Sequence, residues 1–205
     1  MAQAASEAEQ AAAAPAAVAN ATPLGMFAFG TSVIILSCVN AGIIVPKSGA
    51  GLGIEAGMAL FYGGVVLLVV GIFEFRAGNN FTGTVFSSFA AFWLAFGFLL
   101  LPGSGLIAEM AKEGSFLPAV GLLLLVWTII AAMFTICVLR TTTTLLVTFV
   151  ALTLTLLSLT IFYLGGAAFF NTLGGYLGII TSLLAWYIGL AGILPYINPS
   201  IKLPA

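Results

Sequence analysis

The side chains able to do acid–base chemistry are few and far apart: Glu7, Glu9, Glu55, Glu74, Glu109 and Glu113, with Lys47, Arg76, Lys112, Arg140 and Lys202. The sequence holds no His and no Asp. That excludes Ser-His-Asp and Cys-His hydrolysis, His-ligated haem, most zinc sites, an Asp–Asp intramembrane protease and a His proton relay. Cys38 and Cys137 sit far apart in apolar runs. They form neither a metal motif nor a disulfide framework and read as packing residues. No cofactor is expected, and a net charge of -1 offers no basic patch for nucleic acid.

The remaining polar chemistry is neutral. Thr141, Thr144, Thr148, Ala151, Thr155 and Ser158 recur at steps of three and four, a hydroxyl stripe along a helix. Ser and Thr can bond their own i−4 carbonyl, so the stripe reads either as helix packing or as one wall of a polar path. Thr31, Ser32, Ser37 and Asn40 add polar groups to another apolar run. A buried Asn40 amide needs a partner. It lies eleven residues after Phe29, about three helical turns, so the two share a face. Thr22-Pro23 reads as an N-cap followed by proline at the first helical position. Such a start leaves free N–H groups and a positive dipole end, where a carboxylate binds without a cationic side chain. An ordinary capped helix is the other reading.

These groups must be carried by membrane helices. Of 205 residues, 62% are hydrophobic and only 5% charged, against about 25% in a soluble domain. A span needs roughly 20 apolar residues. The charge-free stretches 10–46, 56–73, 77–108, 114–139 and 141–201 hold six, the last divided near Gly165-Gly166 and Asn171. The predicted helices run over 24–45, 54–74, 82–101, 118–139, 143–164 and 173–194, with Pro46, Pro102 and Pro195 just past three of their ends. Leu/Ile/Val runs without period-two alternation argue against a β-barrel. The expected fold is an all-α integral membrane protein, a six-helix bundle over residues 21–195. An Ala-rich flexible tail, 1–20, precedes it and a short tail, 196–205, follows. The first tail lacks the basic start of a secretory signal, and the second carries no lipidation motif.

Cations divide three to two, with Arg76, Arg140 and Lys202 on the side of the N-terminus and Lys47 and Lys112 opposite. The expectation is a multi-pass protein of the plasma membrane with both termini in the cytoplasm. Glu55 opens the second predicted helix, Glu74 and Arg76 end it, and Arg140 ends the fourth, so none sits at a span centre. A pump or tightly coupled symporter usually keeps a carboxylate or His inside the membrane for its proton. Its absence favours a channel, a facilitator, or a carrier whose proton travels on the substrate. Small-residue faces stand out in two helices: Gly53, Gly57, Gly64 and Gly71 in the second, and Gly174, Gly178, Ser182, Ala185, Gly189 and Gly192 in the sixth. They allow close backbone approach, either within a subunit or between subunits.

Asn20-Ala21-Thr22-Pro23-Leu24-Gly25-Met26 resembles the NPAPLGL signature of the acetate uptake transporter family, which includes succinate–acetate permeases. Phe29-Gly30, Asn40-Ala41-Gly42, Phe61-Tyr62-Gly63-Gly64, the run from Glu74 to Phe81 and the run from Phe86 to Trp93 are similar to its further landmarks, in order. The resemblance covers residues 20–194; the second half matches mainly in pattern. It implies six helices around a path through each protomer, protomers assembled as a hexamer, and transport of acetate and related small carboxylates such as succinate. It assigns Asn20, Thr22, Pro23, Leu24, Gly25 and Asn40 to substrate binding and implies an apolar constriction at Phe29, Phe89 and Leu152. Thr144, Thr148 and Thr155 are the candidate polar path. Ala21, Thr22 and Phe89 depart from the family's Pro, Ala and Tyr, and the last leaves a fully apolar constriction. The leading expectation is a carboxylate transporter, channel-like or proton-linked. The alternative is a membrane protein that senses acetate without moving it. An enzyme is not expected.

Overall fold

A computed structural model describes residues 19–44 and 52–204. Most of the expected N-terminal tail, Pro46 and Lys47 lie outside the described residues. Six helices are long and apolar enough to cross a membrane: α1 Thr22–Ala41, α2 Leu52–Arg76, α3 Asn80–Leu100, α4 Phe116–Cys137, α5 Thr143–Tyr163 and α6 Ala168–Ile197. No strand occurs among the described residues. A short helix, Leu106–Lys112, crosses between α3 and α4. The fold class is the one the charge gaps predict, because charges and glycines mark the turns. Gly42 ends α1 at φ 74°, its N–H reaching the carbonyls of Cys38 and Val39. Gly165, at φ 101°, turns the chain between α5 and α6. Both are left-handed positions that suit glycine.

Three local expectations are corrected. Asn171 lies inside α6, not in the turn. The two glycines suffice to reverse the chain, and Asn171 Nδ2 donates to Asn40 O at 3.4 Å. Pro195 lies inside α6 rather than beyond it. So close to the helix end, proline interrupts the ladder only in its last turns, and the chain continues. Thr22 is not the N-cap. Ala21 takes that place and Pro23 follows Thr22 within the first turn. Asn20 serves the cap instead, its Oδ1 accepting from the Thr22 N–H at 3.0 Å.

The middle of α2, Ala59–Val66, is wound as a π-helix. Gly63 and Gly64 lie in it, with Ser32 and Trp93 against the first and Leu94 against the second. The helices form a ring. Neighbours in sequence pack side by side from α1 to α3 and from α4 to α6, and α6 returns against α1. The α1–α6 seam is the tightest. A methyl at Gly175 would meet the Ala41 backbone, one at Gly178 the Ser37 hydroxyl, and one at Gly189 the Pro23 carbonyl. The stripe of α6 is thus consumed within the chain. The α2 stripe divides: Gly64 and Gly71 are covered by Leu94 and Ser87, whereas Gly53 and Gly57 meet nothing within 4 Å among the described residues. Between α3 and α4 the ring closes through aromatic rings, with Phe89 and Trp127 at 5.2 Å and Phe92 and Trp127 at 5.1 Å between centroids.

Candidate functional site

Six antiparallel spans put the N-termini of α1, α3 and α5 at one end of the bundle. There they surround a vestibule of about 360 Å³. Its wall includes Asn20, Thr22 and Pro23 from the start of α1, Phe81 and Thr82 from the first turn of α3, and Thr142 and Leu145 at the start of α5. Thr142 caps α5 with its own hydroxyl, which accepts from the Leu145 N–H at 3.4 Å. Among the described residues, no lysine, arginine or acid lines the cavity. Each helix start carries about half a positive charge, which suits an anion at that wall, and Ile188, Ala191 and Gly192 from the last turns of α6 line the cavity as well. Arg76 and Arg140 lie at the same end but are exposed, where water and salt screen them.

Below the vestibule two small cavities follow in line. The first, about 20 Å³, is walled by Met26, Phe29, Val85, Phe86, Phe89, Thr148, Phe149 and Leu152. The second, about 40 Å³, includes Phe29, Val33, Ser37, Asn40, Phe89, Trp93, Leu152 and Thr155. Phe29, Phe89 and Leu152 line both and so stand between them. The Phe29 and Phe89 rings meet edge-on, centroids 5.2 Å apart at 65°. All three side chains are buried. A volume of this order holds about one water, so the passage is closed to a hydrated ion as it stands.

The other candidate residues distribute unevenly. Asn40 and Phe29 share the second small cavity, on the common face their spacing predicts. Thr148 lines the first and Thr155 the second. Each hydroxyl donates to its own helix, Thr148 to Thr144 O at 2.7 Å and Thr155 to Ala151 O at 2.8 Å. Their lone pairs alone remain for a visitor. Thr144 lines neither of these cavities nor the vestibule. Gly25 is covered by Phe86 and Val70 and serves packing. Leu24 is half exposed on a different face, by Ala77, Ile193 and Tyr196.

Glu74 is the residue that sequence reasoning placed and then undervalued. It is 1% exposed. Its carboxylate accepts from the Thr22 hydroxyl at 2.8 Å and from Asn79 Nδ2 at 2.8 Å. Thr22 belongs to the first turn of α1 and Asn79 is the N-cap of α3. One internal carboxylate therefore spans two helix starts, and the Thr22 hydroxyl is already committed to it. Thr142 was also legible, as a threonine three residues before Leu145 at a helix start. Glu55, at the other end of α2, is fully buried, and neither carboxylate oxygen has a hydrogen-bond partner among the described residues. Position alone hid this, since Glu55 falls near a predicted helix end where water is the default partner.

The sequence model described as the GPR1/FUN34/yaaH family matches residues 3–205. Ammonia transport outward protein 2 of Saccharomyces cerevisiae is 37% identical over 179 residues, 85% of this chain and 61% of the yeast protein. Acetate permease A of Emericella nidulans is 34% identical over 206 residues, covering 91% of this chain and 65% of the permease. The chain thus spans less than two thirds of the length of these fungal relatives. The succinate-acetate/proton symporter SatP of Escherichia coli is 38% identical over 90 residues, 43% of this chain and 45% of SatP. Among solved structures, the bacterial acetate channel SatP superposes with a TM-score of 0.77 at 28% identity, covering 91% of this chain and 98% of that one.

Proposed function

The chain belongs to the GPR1/FUN34/yaaH family, and on that premise we propose that it carries small carboxylates, acetate first, across a membrane. The observation that carries the reading is the vestibule. Three helix starts converge on a cavity lined by neutral side chains, and that cavity leads to an apolar neck. A carboxylate gains from the N–H ends, and its short hydrocarbon part suits the neck. Asn20, Thr22 and Pro23 form the α1 side of the entry. Phe29, Phe89 and Leu152 gate by keeping water out. Asn40 and Thr155 receive the substrate beyond the gate, and Thr148 offers a lone pair before it. Leu24 and Gly25 act indirectly, by shaping and packing the start of α1.

The transport unit is residues 21–195, with the vestibule facing the cytoplasm and both ends of the chain on that side. Arg76, Arg140 and Lys202 at the vestibule end support this orientation. The protein resides in the plasma membrane, works as a hexamer and catalyses no chemical conversion. The yeast relative's name raises ammonia as a second substrate; helix N-termini favour an anion over ammonium, so the carboxylate stands first. Purified protein in liposomes takes up labelled acetate above empty liposomes, with and without an imposed proton gradient. No uptake overturns the transport reading. Acetate-dependent stabilisation in detergent without flux would establish the sensing alternative instead.

A further inference from the structure

We propose that the indole N–H of Trp93 is a hydrogen-bond donor that holds the carboxylate once it has passed the gate, an inference that rests on the transport reading. Trp93 follows Phe89 by four residues in α3. It therefore lies one helical turn, about 6 Å, past the gate on the same helix face. It lines the second small cavity together with Asn40 and Thr155. Its side chain is 2% exposed, and Nε1 has no hydrogen-bond partner among the described residues. A buried indole N–H normally finds one. Trp186 shows the usual arrangement, its Nε1 donating to the Thr31 hydroxyl at 3.2 Å.

The indole is seated by the π-wound stretch of α2. A methyl at Gly63, inside that stretch, would stand 2.8 Å from the ring carbon Cγ of Trp93, so glycine is what lets the ring sit this close. Single π-wound segments recur at functional sites. On the α3 side Phe92 and Phe96 flank the ring, with centroids 5.2 and 6.1 Å away. Phenylalanine would fill most of this space. What tryptophan adds is one donor and no acceptor, which serves an anion and offers nothing to a cation. Of the other polar wall residues, Thr155 has spent its proton on Ala151 O and the Ser37 hydroxyl lies against Gly178 of α6. The Asn40 amide and the Trp93 N–H remain, one donor on α1 and one on α3, for the two oxygens of one carboxylate.

The test is labelled acetate uptake in liposomes over a range of acetate concentrations at fixed pH. Trp93→Phe removes the N–H. It raises the half-saturating concentration about tenfold, the worth of a hydrogen bond to a charged group, without lowering the maximal rate. Replacing Trp93 with 3-benzothienylalanine keeps the shape of the ring and puts sulfur where the N–H was, and has the same effect. Trp186→Phe removes an indole that lines none of the three cavities, and leaves the half-saturating concentration unchanged. A folded benzothienylalanine protein that half-saturates as the wild type does overturns the proposal. So does a fall in maximal rate alone, which marks a packing role. If Trp93→Phe does not fold, the benzothienylalanine protein decides. If the wild type moves no acetate, the transport reading fails by itself. The acetate concentration that half-stabilises the protein in detergent then replaces the uptake value, and equality between the wild type and the benzothienylalanine protein again overturns the proposal. A wild type that acetate neither crosses nor stabilises overturns both.

Discussion

Phe29 presents its ring edge to Phe89 with Leu152 closing the third side, and no polar atom of these side chains faces the gap. Water in such a neck has nothing to bond, which is how an apolar constriction blocks ions without a moving plug. Phe29→Ala opens the neck. The expected result is faster acetate flux, or measurable passage of an inorganic anion, in a protein that elutes as the wild type does. Because Phe→Ala in a packed core costs about 3–5 kcal/mol, folding is checked first by size-exclusion profile. Unchanged flux and selectivity in a folded variant would move the gate elsewhere. The gate residues were named by family resemblance, not by chemistry: apolar residues in apolar helices carry no mark of their own. Asn40 did carry one, through its spacing from Phe29. Glu74 was misjudged because its partners, Thr22 and Asn79, lie on two other helix starts. Sequence spacing shows what shares a helix face, not what meets across a bundle.

Helix boundaries were the most legible feature at the scale of elements. Each expected span agrees with an observed helix because a bilayer demands long uncharged runs, and eleven charges leave few places for turns. What escaped was finer: the π-wound stretch of α2, the helical Asn171 and the helix running through Pro195. All three are set by tertiary packing, which propensity does not encode. Small-residue spacing in α6 left open which surface it served. The structure commits it to α1, where Gly178 sits on the Ser37 hydroxyl. Gly178→Leu should therefore destabilise the protomer itself, by about 1–3 kcal/mol. The measurement is a lower melting temperature in detergent. An unchanged melting temperature would show that the α1–α6 seam is loose.

For the whole molecule, the consequence of spending the α6 stripe internally is that α2 is left with the free one. Among the described residues nothing packs on Gly53 and Gly57, and Phe61, Val65 and Val69 farther along the helix are exposed. A smooth, apolar, outward face suits close helix contact between protomers in lipid. Native mass spectrometry from mild detergent is expected to give six protomers, and Gly57→Leu to shift the population to smaller species while acetate still stabilises the protomer. A hexamer unaffected by Gly57→Leu would place the contact on another helix.

The ring is not equally stiff around its circumference. Between α1 and α6 the backbones meet almost directly at Gly175, against Ala41, and Gly178 seats the Ser37 side chain, so this seam leaves little room for the helices to shift against each other. Between α3 and α4 the closure is made by side chains alone, the rings of Phe89, Phe92, Trp127 and Phe134. Phe29 is thus fixed to the stiff side and Phe89 belongs to the compliant one. On the proposed transport reading, the side of the neck that yields is the Phe89 side, a jaw set in aromatic stacking against the α1–α6 anvil.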